Sequence, residues 1–303
     1  MLYTTFLYYL ILIHILKYNF IIENENSRNY KIQKRPYIDI RYFIEQYARQ
    51  LNIDLYYSGE NIRTETIYRK KIGEIIQVNT YENNDDNHID ISLVDMKRKK
   101  DELDKTFKVL SDETISNINK TILSKRNMII LTLRRGVSPI TLCEDCNNVV
   151  HCNNCNSPVV LHKNFFMCHR CGERRSTEEY CKTCGSWKLK AFGIGIDLVY
   201  ETIKNDYKEL NVYKIDSDSV KNDKEIKNII EKWKNEPGSI LIGTEMMLQY
   251  IHTKAEYSSV LGIDSLFSLP DFRIEEKIID MLNTLRQKTE MNMVIETRKI
   301  DER

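Results

Sequence analysis

Along residues 39–51 the apolar positions fall at 40, 43, 44, 47 and 51, a helical period that predicts one amphipathic helix. A different rhythm precedes it. Residues 2–16 form an apolar run, and 17–22 are rich in β-formers and read as a short buried strand. Further on, the pattern predicts a strand at 55–57, a short helix at 64–70, an exposed acidic and Asn-rich loop at 80–90, and an alternating strand at 89–94. Helix is predicted at 112–124 and strand at 128–133. After a cysteine-rich interruption, helix 197–207, strand 212–215, helix 222–234, strand 239–242, strand 260–264 and helix 274–289 follow one another. Strand and helix in alternation indicate an α/β fold, a parallel sheet covered by helices on both faces.

The first apolar run changes the picture least. Joined to residues 20–22 it nears membrane-spanning length. It carries Tyr and Thr tips in its first half and His14 inside, with no basic residue before it and no small-residue cleavage site. We read it as a buried helix and strand, against a membrane anchor or a signal peptide, and expect no membrane partner.

Charge excludes a global attraction to nucleic acid: 45 Lys and Arg stand against 44 acidic residues. Any nucleic-acid site must be a local patch, and the basic stretch at 97–100 reads as a solvated surface. The Asn, Lys and Ile bias says little about fold.

The cysteines say far more. All 8 lie between Cys143 and Cys184, as the pairs Cys143/Cys146, Cys152/Cys155, Cys168/Cys171 and Cys181/Cys184. Two thiolates on one tight knuckle reach the same ion, so this spacing points to metal, two Zn²⁺ per chain, and to a reducing cytoplasm. Taken as pairs they combine sequentially, interleaved or nested. Sequential pairing leaves 5 residues between the first two knuckles, which is cramped. Nested pairing sets Cys152, Cys155, Cys168 and Cys171 around a loop of 12 residues, which suits a zinc ribbon, with Cys143, Cys146, Cys181 and Cys184 closing around it. Interleaving stays open on spacing alone. Gly172 and Gly185 follow the second cysteine of a pair, where a knuckle wants a residue tolerant of positive φ. Four thiolates saturate zinc and leave no position for water, so catalysis at the metal is not expected. His151, His162 and His169 read as polar surface residues. From Cys143 to Lys190, seven basic and five acidic residues with two Zn²⁺(Cys)₄ centres leave a net charge near −2, no magnet for phosphates. Phe165, Phe166 and Trp187 are expected to pack rather than stack on bases.

A series of motifs surrounds the cysteines. Arg134-Arg135-Gly136 precedes the first knuckle, and Phe192-Gly193-Ile194-Gly195, Ile215-Asp216-Ser217-Asp218, Ile242-Gly243-Thr244-Glu245-Met246 and Leu269-Pro270-Asp271-Phe272-Arg273 follow the last. In this order they resemble the primosomal protein N′ (PriA replication-restart helicase) family, strongly over 128–277 and weakly before 100. The resemblance implies RecA-like helicase lobes, ATP-coupled DNA unwinding at stalled forks, and a zinc module that helps unwinding and primosome assembly. With it, nested pairing is the expected arrangement. It also implies domains: 1–100 a remnant of helicase lobe 1, 101–142 the start of lobe 2, 143–190 the two-zinc module, and 191–303 the remainder of lobe 2.

Departures from the family pattern fall on its nucleotide chemistry. No G-x-x-x-x-G-K-[ST] phosphate loop occurs, and the resemblance starts beyond the point where the family carries it, so the DNA-binding region and most of lobe 1 are expected to be absent. The Asp-Glu-Glu-His box aligns with Glu23-Asn24-Glu25-Asn26, in which Asn cannot replace a metal-binding carboxylate. The Gly-Ser-Ala-Thr-Pro motif aligns with Ser58-Gly59-Glu60-Asn61-Ile62. The Lys-Gly-His motif is replaced around Gln249-Tyr250-Ile251. The Gly-Arg-Ala-Gly-Arg motif aligns with Gln287-Lys288-Thr289-Glu290-Met291, which holds no arginine. We therefore expect no ATP cofactor and no ATPase activity from the chain alone. The expected role is a zinc-stabilised scaffold for single-stranded or forked DNA, or for primosome or replication proteins, in the nucleoid. Arg134, Arg135 and Thr244 are the candidate DNA contacts. The alternatives are one part of a split active helicase, or a zinc-stabilised interaction module unrelated to replication.

Overall fold

The computed structural model describes residues 19–32, 34–59, 61–78, 89–97, 108–132, 140–162, 165–216, 220, 222–269, 271 and 273–298. The apolar run 2–16, nearly all of the acidic loop 80–90 and most of the basic stretch 97–100 lie outside these residues. No described helix is long and apolar enough to cross a membrane.

The chain divides into two compact units, Met1–Glu82 and Asn83–Arg303. In the first, β1 (Phe20–Glu23) and β2 (Leu55–Ser58) pair in parallel, from Phe20↔Leu55 to Glu23↔Ser58. Helix α1 (Ile40–Leu51) joins them. It starts where the Asp39 side chain accepts the Arg41 N–H, and it stops at Asn52, whose left-handed φ of 53° ends the helix. Along β1 the side chains alternate: Phe20 and Ile22 are buried, and Ile21 is exposed. Helix α2 (Thr64–Lys71) follows β2.

The second unit holds a six-stranded sheet. Its strands are β3 (Asp90–Asp95), β4 (Met128–Thr132), β10 (Val212–Ile215), β11 (Ile240–Gly243), β12 (Ala255–Leu261) and β13 (Thr289–Thr297). They lie in the order β10-β11-β4-β12-β13-β3, and every neighbouring pair is parallel. All five residues of β4 are buried, as a strand covered on both faces requires. Its side chains sort by parity. Ile129 and Leu131 face α5 (Asp223–Asn235), α6 (Glu245–Leu248) and α7 (Ile274–Gln287), packing with Ile230, Trp233, Met247 and Met281. Met128 and Ile130 face α3 (Asp112–Ser124) and α4 (Ile196–Asp206), packing with Ile118, Val199 and Ile203. This is the RecA-like arrangement, and the cysteine module leaves it after β4 and returns to it before α4.

Three elements differ from the hydrophobic pattern. Strand β12 spans Ala255–Leu261 rather than 260–264, and Ile263–Ser268 is a 3-10 helix. Its middle is polar, Ser258 and Ser259, and the Ser258 hydroxyl pairs with that of Thr289 at 2.7 Å on the next strand. That partner lies in β13, which the pattern missed by running the last helix to 289. Strand β3 sits on the edge of the larger sheet, paired from Asn292↔Asp90 to Thr297↔Asp95. The backbone of 90–95 has its ladder in β13, so it belongs to the second compact unit, Asn83–Arg303.

Candidate metal centre

Four knuckles of one design build the site. In each, the first cysteine donates its N–H to the carbonyl five residues on: Cys143 to Asn148 (3.0 Å), Cys152 to Ser157 (2.8 Å), Cys168 to Glu173 (2.9 Å) and Cys181 to Ser186 (2.7 Å). The residue four positions on returns a bond to the cysteine carbonyl, from Asn147, Asn156, Gly172 and Gly185. All four of these residues have positive φ, 55°, 57°, 81° and 75° in turn. Only Gly takes that conformation freely, and Asn takes it more readily than other residues. The pattern signalled Gly172 and Gly185. Asn147 and Asn156 do the same work, and their place after the second cysteine is the signal that reveals them.

Short strands carry the knuckles. Strands β5 (Ile140–Cys143) and β9 (Leu189–Phe192) pair antiparallel and form the module's stalk. Strands β6 (Val160–Leu161), β7 (Phe165–Met167) and β8 (Arg174–Ser176) form a three-stranded meander. A small apolar core of Cys152, Val159, Phe166 and Cys168 lies beneath it.

This framework gathers the eight sulfurs into two groups, Cys143, Cys146, Cys181 and Cys184, and Cys152, Cys155, Cys168 and Cys171, with the ligand atoms of each within 4.8 Å of one another. Those are the nested sets. No disulfide links them. Within the groups the Sγ atoms of Cys143 and Cys184, Cys146 and Cys181, Cys152 and Cys171, and Cys155 and Cys168 lie 3.5 Å apart. A tetrahedron with Zn–S near 2.3 Å has edges of roughly 3.8 Å, so each group is sized for such an ion.

Electrostatics agrees with that fit. Burial pushes the Cys143, Cys146, Cys152 and Cys168 thiols up. Against burial, the Ser157 backbone and hydroxyl and the neighbouring Cys168 and Cys171 bring Cys155 down to about 6. Against burial likewise, the backbone N–H groups of Cys184 and Thr183 bring Cys181 down to about 7. Four thiolates gathered this closely would need a divalent ion to offset their charge. Each group can thus hold one metal ion with its four sulfurs.

The histidines stay outside these groups. His151 bonds the Asn156 carbonyl through Nδ1 at 2.8 Å, and His162 stacks on Phe165 at 5.0 Å. Phe166 is buried, as packing requires, but Trp187 is 71% exposed, so its expected packing role does not hold.

The other sequence-derived positions fall elsewhere. Arg134 and Arg135 lie outside the described residues. Thr244 follows β11 at the start of α6 and is only 5% exposed, with its N–H on the Ile215 carbonyl at 3.3 Å. Glu23-Asn24-Glu25-Asn26 forms a turn after β1. Asn24 takes φ 51° and accepts the Ser27 N–H at 2.9 Å. Asn26 donates to the Asn61 carbonyl at 2.9 Å. Glu25 is fully buried, and its two oxygens accept the Arg63 N–H at 2.8 Å and the Thr66 hydroxyl at 2.9 Å. Gly59 lies against this turn; a Cβ there would meet the Asn24 Cα at 3.3 Å.

No protein-family model matches the chain. Among curated proteins it is 34% identical over 167 residues to the Replication restart protein PriA of Haemophilus influenzae, covering 54% of this chain and 23% of that one. It is 26% identical over 289 residues to that of Borreliella burgdorferi, covering 92% and 42%. To that of Rickettsia felis it is 30% identical over 226 residues, covering 72% and 34%. The chain spans less than half the length of these relatives. Matches to several bacterial proteins of one name, one of them spanning 92% of this chain, make it a PriA-like family member.

Proposed function

We propose that this chain works in replication restart as a zinc-stabilised scaffold that binds DNA or primosome proteins and does not hydrolyse ATP. One observation carries the reading: Glu25, the central acidic position of the degenerate box, spends both carboxylate oxygens inside its own unit. A phosphoryl-transfer site needs carboxylates free to hold Mg²⁺ and orient water. Here the only acid left in the middle of the box is a structural acceptor. The metal module, in contrast, keeps all eight ligands grouped. When bound, zinc would supply charge to gather the thiolates and rigidity to the ribbon, with no reaction step of its own.

The DNA part of this reading rests on Arg134 and Arg135, which precede the first knuckle in the sequence and lie outside the described residues. Arginines there can hold phosphates without sequence preference. Near-zero net charge limits the affinity, so binding should be micromolar or weaker at physiological salt.

Two measurements test the reading on the purified chain. ATP turnover should stay at background with and without forked DNA; DNA-stimulated turnover that vanishes in Glu25→Gln would overturn the inactive scaffold. Fluorescence anisotropy with a forked oligonucleotide should show salt-sensitive binding. The Arg134→Ala/Arg135→Ala variant should bind less, with a salt slope shallower by up to about two ion equivalents. Identical curves for the two proteins would remove DNA and leave a partner protein.

A further inference from the structure

Each four-cysteine group has one exposed member. In the first it is Cys184, and in the second Cys171; Cys143, Cys181, Cys152 and Cys168 are buried, and Cys146 and Cys155 lie between. The two exposed residues hold equivalent places, the second cysteine of the third and fourth knuckles. Each is followed by a glycine with open space beside it: a Cβ built on Gly172 or Gly185 meets nothing within 4 Å. Each exposed sulfur also has a buried neighbour in reach, Cys152 at 3.5 Å from Cys171 and Cys143 at 3.5 Å from Cys184.

We propose that Cys171 and Cys184 are oxidation sites through which a peroxide opens the two metal centres. This rests on the zinc reading above. A metal-bound thiolate remains nucleophilic, and its reactivity follows exposure. The Cys171 or Cys184 thiolate attacks one peroxide oxygen, the O–O bond breaks, and the sulfur becomes a sulfenic acid with hydroxide released. The neighbouring Cys152 or Cys143 thiolate attacks that sulfur, the S–O bond breaks, and a second hydroxide leaves. Two thiolates and one peroxide give one disulfide and two hydroxides: both sulfurs are oxidised and both peroxide oxygens reduced. Two ligands then remain on the ion, too few for a structural site, and zinc is released. A thiol reductant with free zinc reverses the change.

The test uses the full zinc-loaded chain and hydrogen peroxide, with a chromogenic chelator reading zinc release and mass spectrometry mapping the products. Release should rise to about two equivalents as about four thiols are lost, with Cys152–Cys171 and Cys143–Cys184 disulfides formed first. Reductant and zinc should restore the metal content. Zinc retained at peroxide that fully oxidises free glutathione would overturn the switch, as would first disulfides joining Cys146 to Cys181 or Cys155 to Cys168. If the chain carries no zinc before peroxide is added, the metal reading fails and the switch falls with it.

Discussion

The Thr66 hydroxyl donates to the Glu25 carboxylate at 2.9 Å, across 41 residues of chain, and both groups are buried. This bond ties the turn after β1 to the first turn of α2. With the Arg63 N–H on the other oxygen, Glu25 serves α2 as a remote N-terminal acceptor.

Removing that acceptor should loosen the first unit. Glu25→Ala leaves the Arg63 N–H and the Thr66 hydroxyl without their partner, a loss of about 2 kcal/mol. Glu25→Gln keeps one acceptor oxygen and should lose less. Urea unfolding followed by circular dichroism reads the effect, and zinc content should stay at the wild-type value. Equal stability of Glu25→Ala and the wild type would show that the bond holds nothing.

Metal content should follow the two groups. The purified chain should carry about two Zn²⁺, and Cys152→Ser should lose about one of them. Cys143→Ser should release the other, the ion it shares with Cys146, Cys181 and Cys184. Elemental analysis of the three proteins suffices. One zinc in the wild type, or a native disulfide among these cysteines, would sink the two-centre arrangement.

A second buried carboxyl should give stability a pH dependence. Glu296 is 1% exposed at the end of β13, where its Oε1 accepts the Ser111 N–H and the Thr114 hydroxyl, each at 2.7 Å. Its Oε2 has no partner among the described residues. Burial raises its pKa, although the Ser111 and Thr114 donors and the charge of Arg298 oppose the rise. A carboxyl whose folded pKa is raised stabilises fully below its unfolded value of about 4.3, and that contribution is lost as pH climbs through the folded value. Glu296→Gln cannot ionise. Its melting temperature relative to wild type should therefore increase between about pH 5 and about pH 8. A difference constant over that interval would mean that Glu296 is charged throughout.

How much of this was legible in the sequence depends on what kind of signal each element carries. The four cysteine pairs were legible because metal chemistry demands two thiolates per knuckle at fixed spacing, whereas their nesting was expected only with the family resemblance. Helix α1 was legible because a single covered face imposes a period. Strand β13 was not: Asn292 interrupts its middle, and that side chain is explained only by the Asn117 amide 2.7 Å away and by Asp90 on the neighbouring strand. Polar residues that pair across a sheet read as loop or helix until their partners are known. The same holds for Glu25. Its identity is visible in the sequence, but its use depends on Arg63 and Thr66, which only folding brings near.

The stalk of the module has a mechanical consequence. Pairing of β5 with β9 sets Ile140 opposite Phe192, so the inserted chain begins and ends at nearly one point. Seen from the sheet, the whole insertion closes like a short hairpin. If the metals were lost and the knuckles opened, the ends would still be joined by the same backbone, and closing a loop several times longer costs only about 1 kcal/mol more. On this geometry, loss of the metals should leave the pairing of β4 with β12 in place.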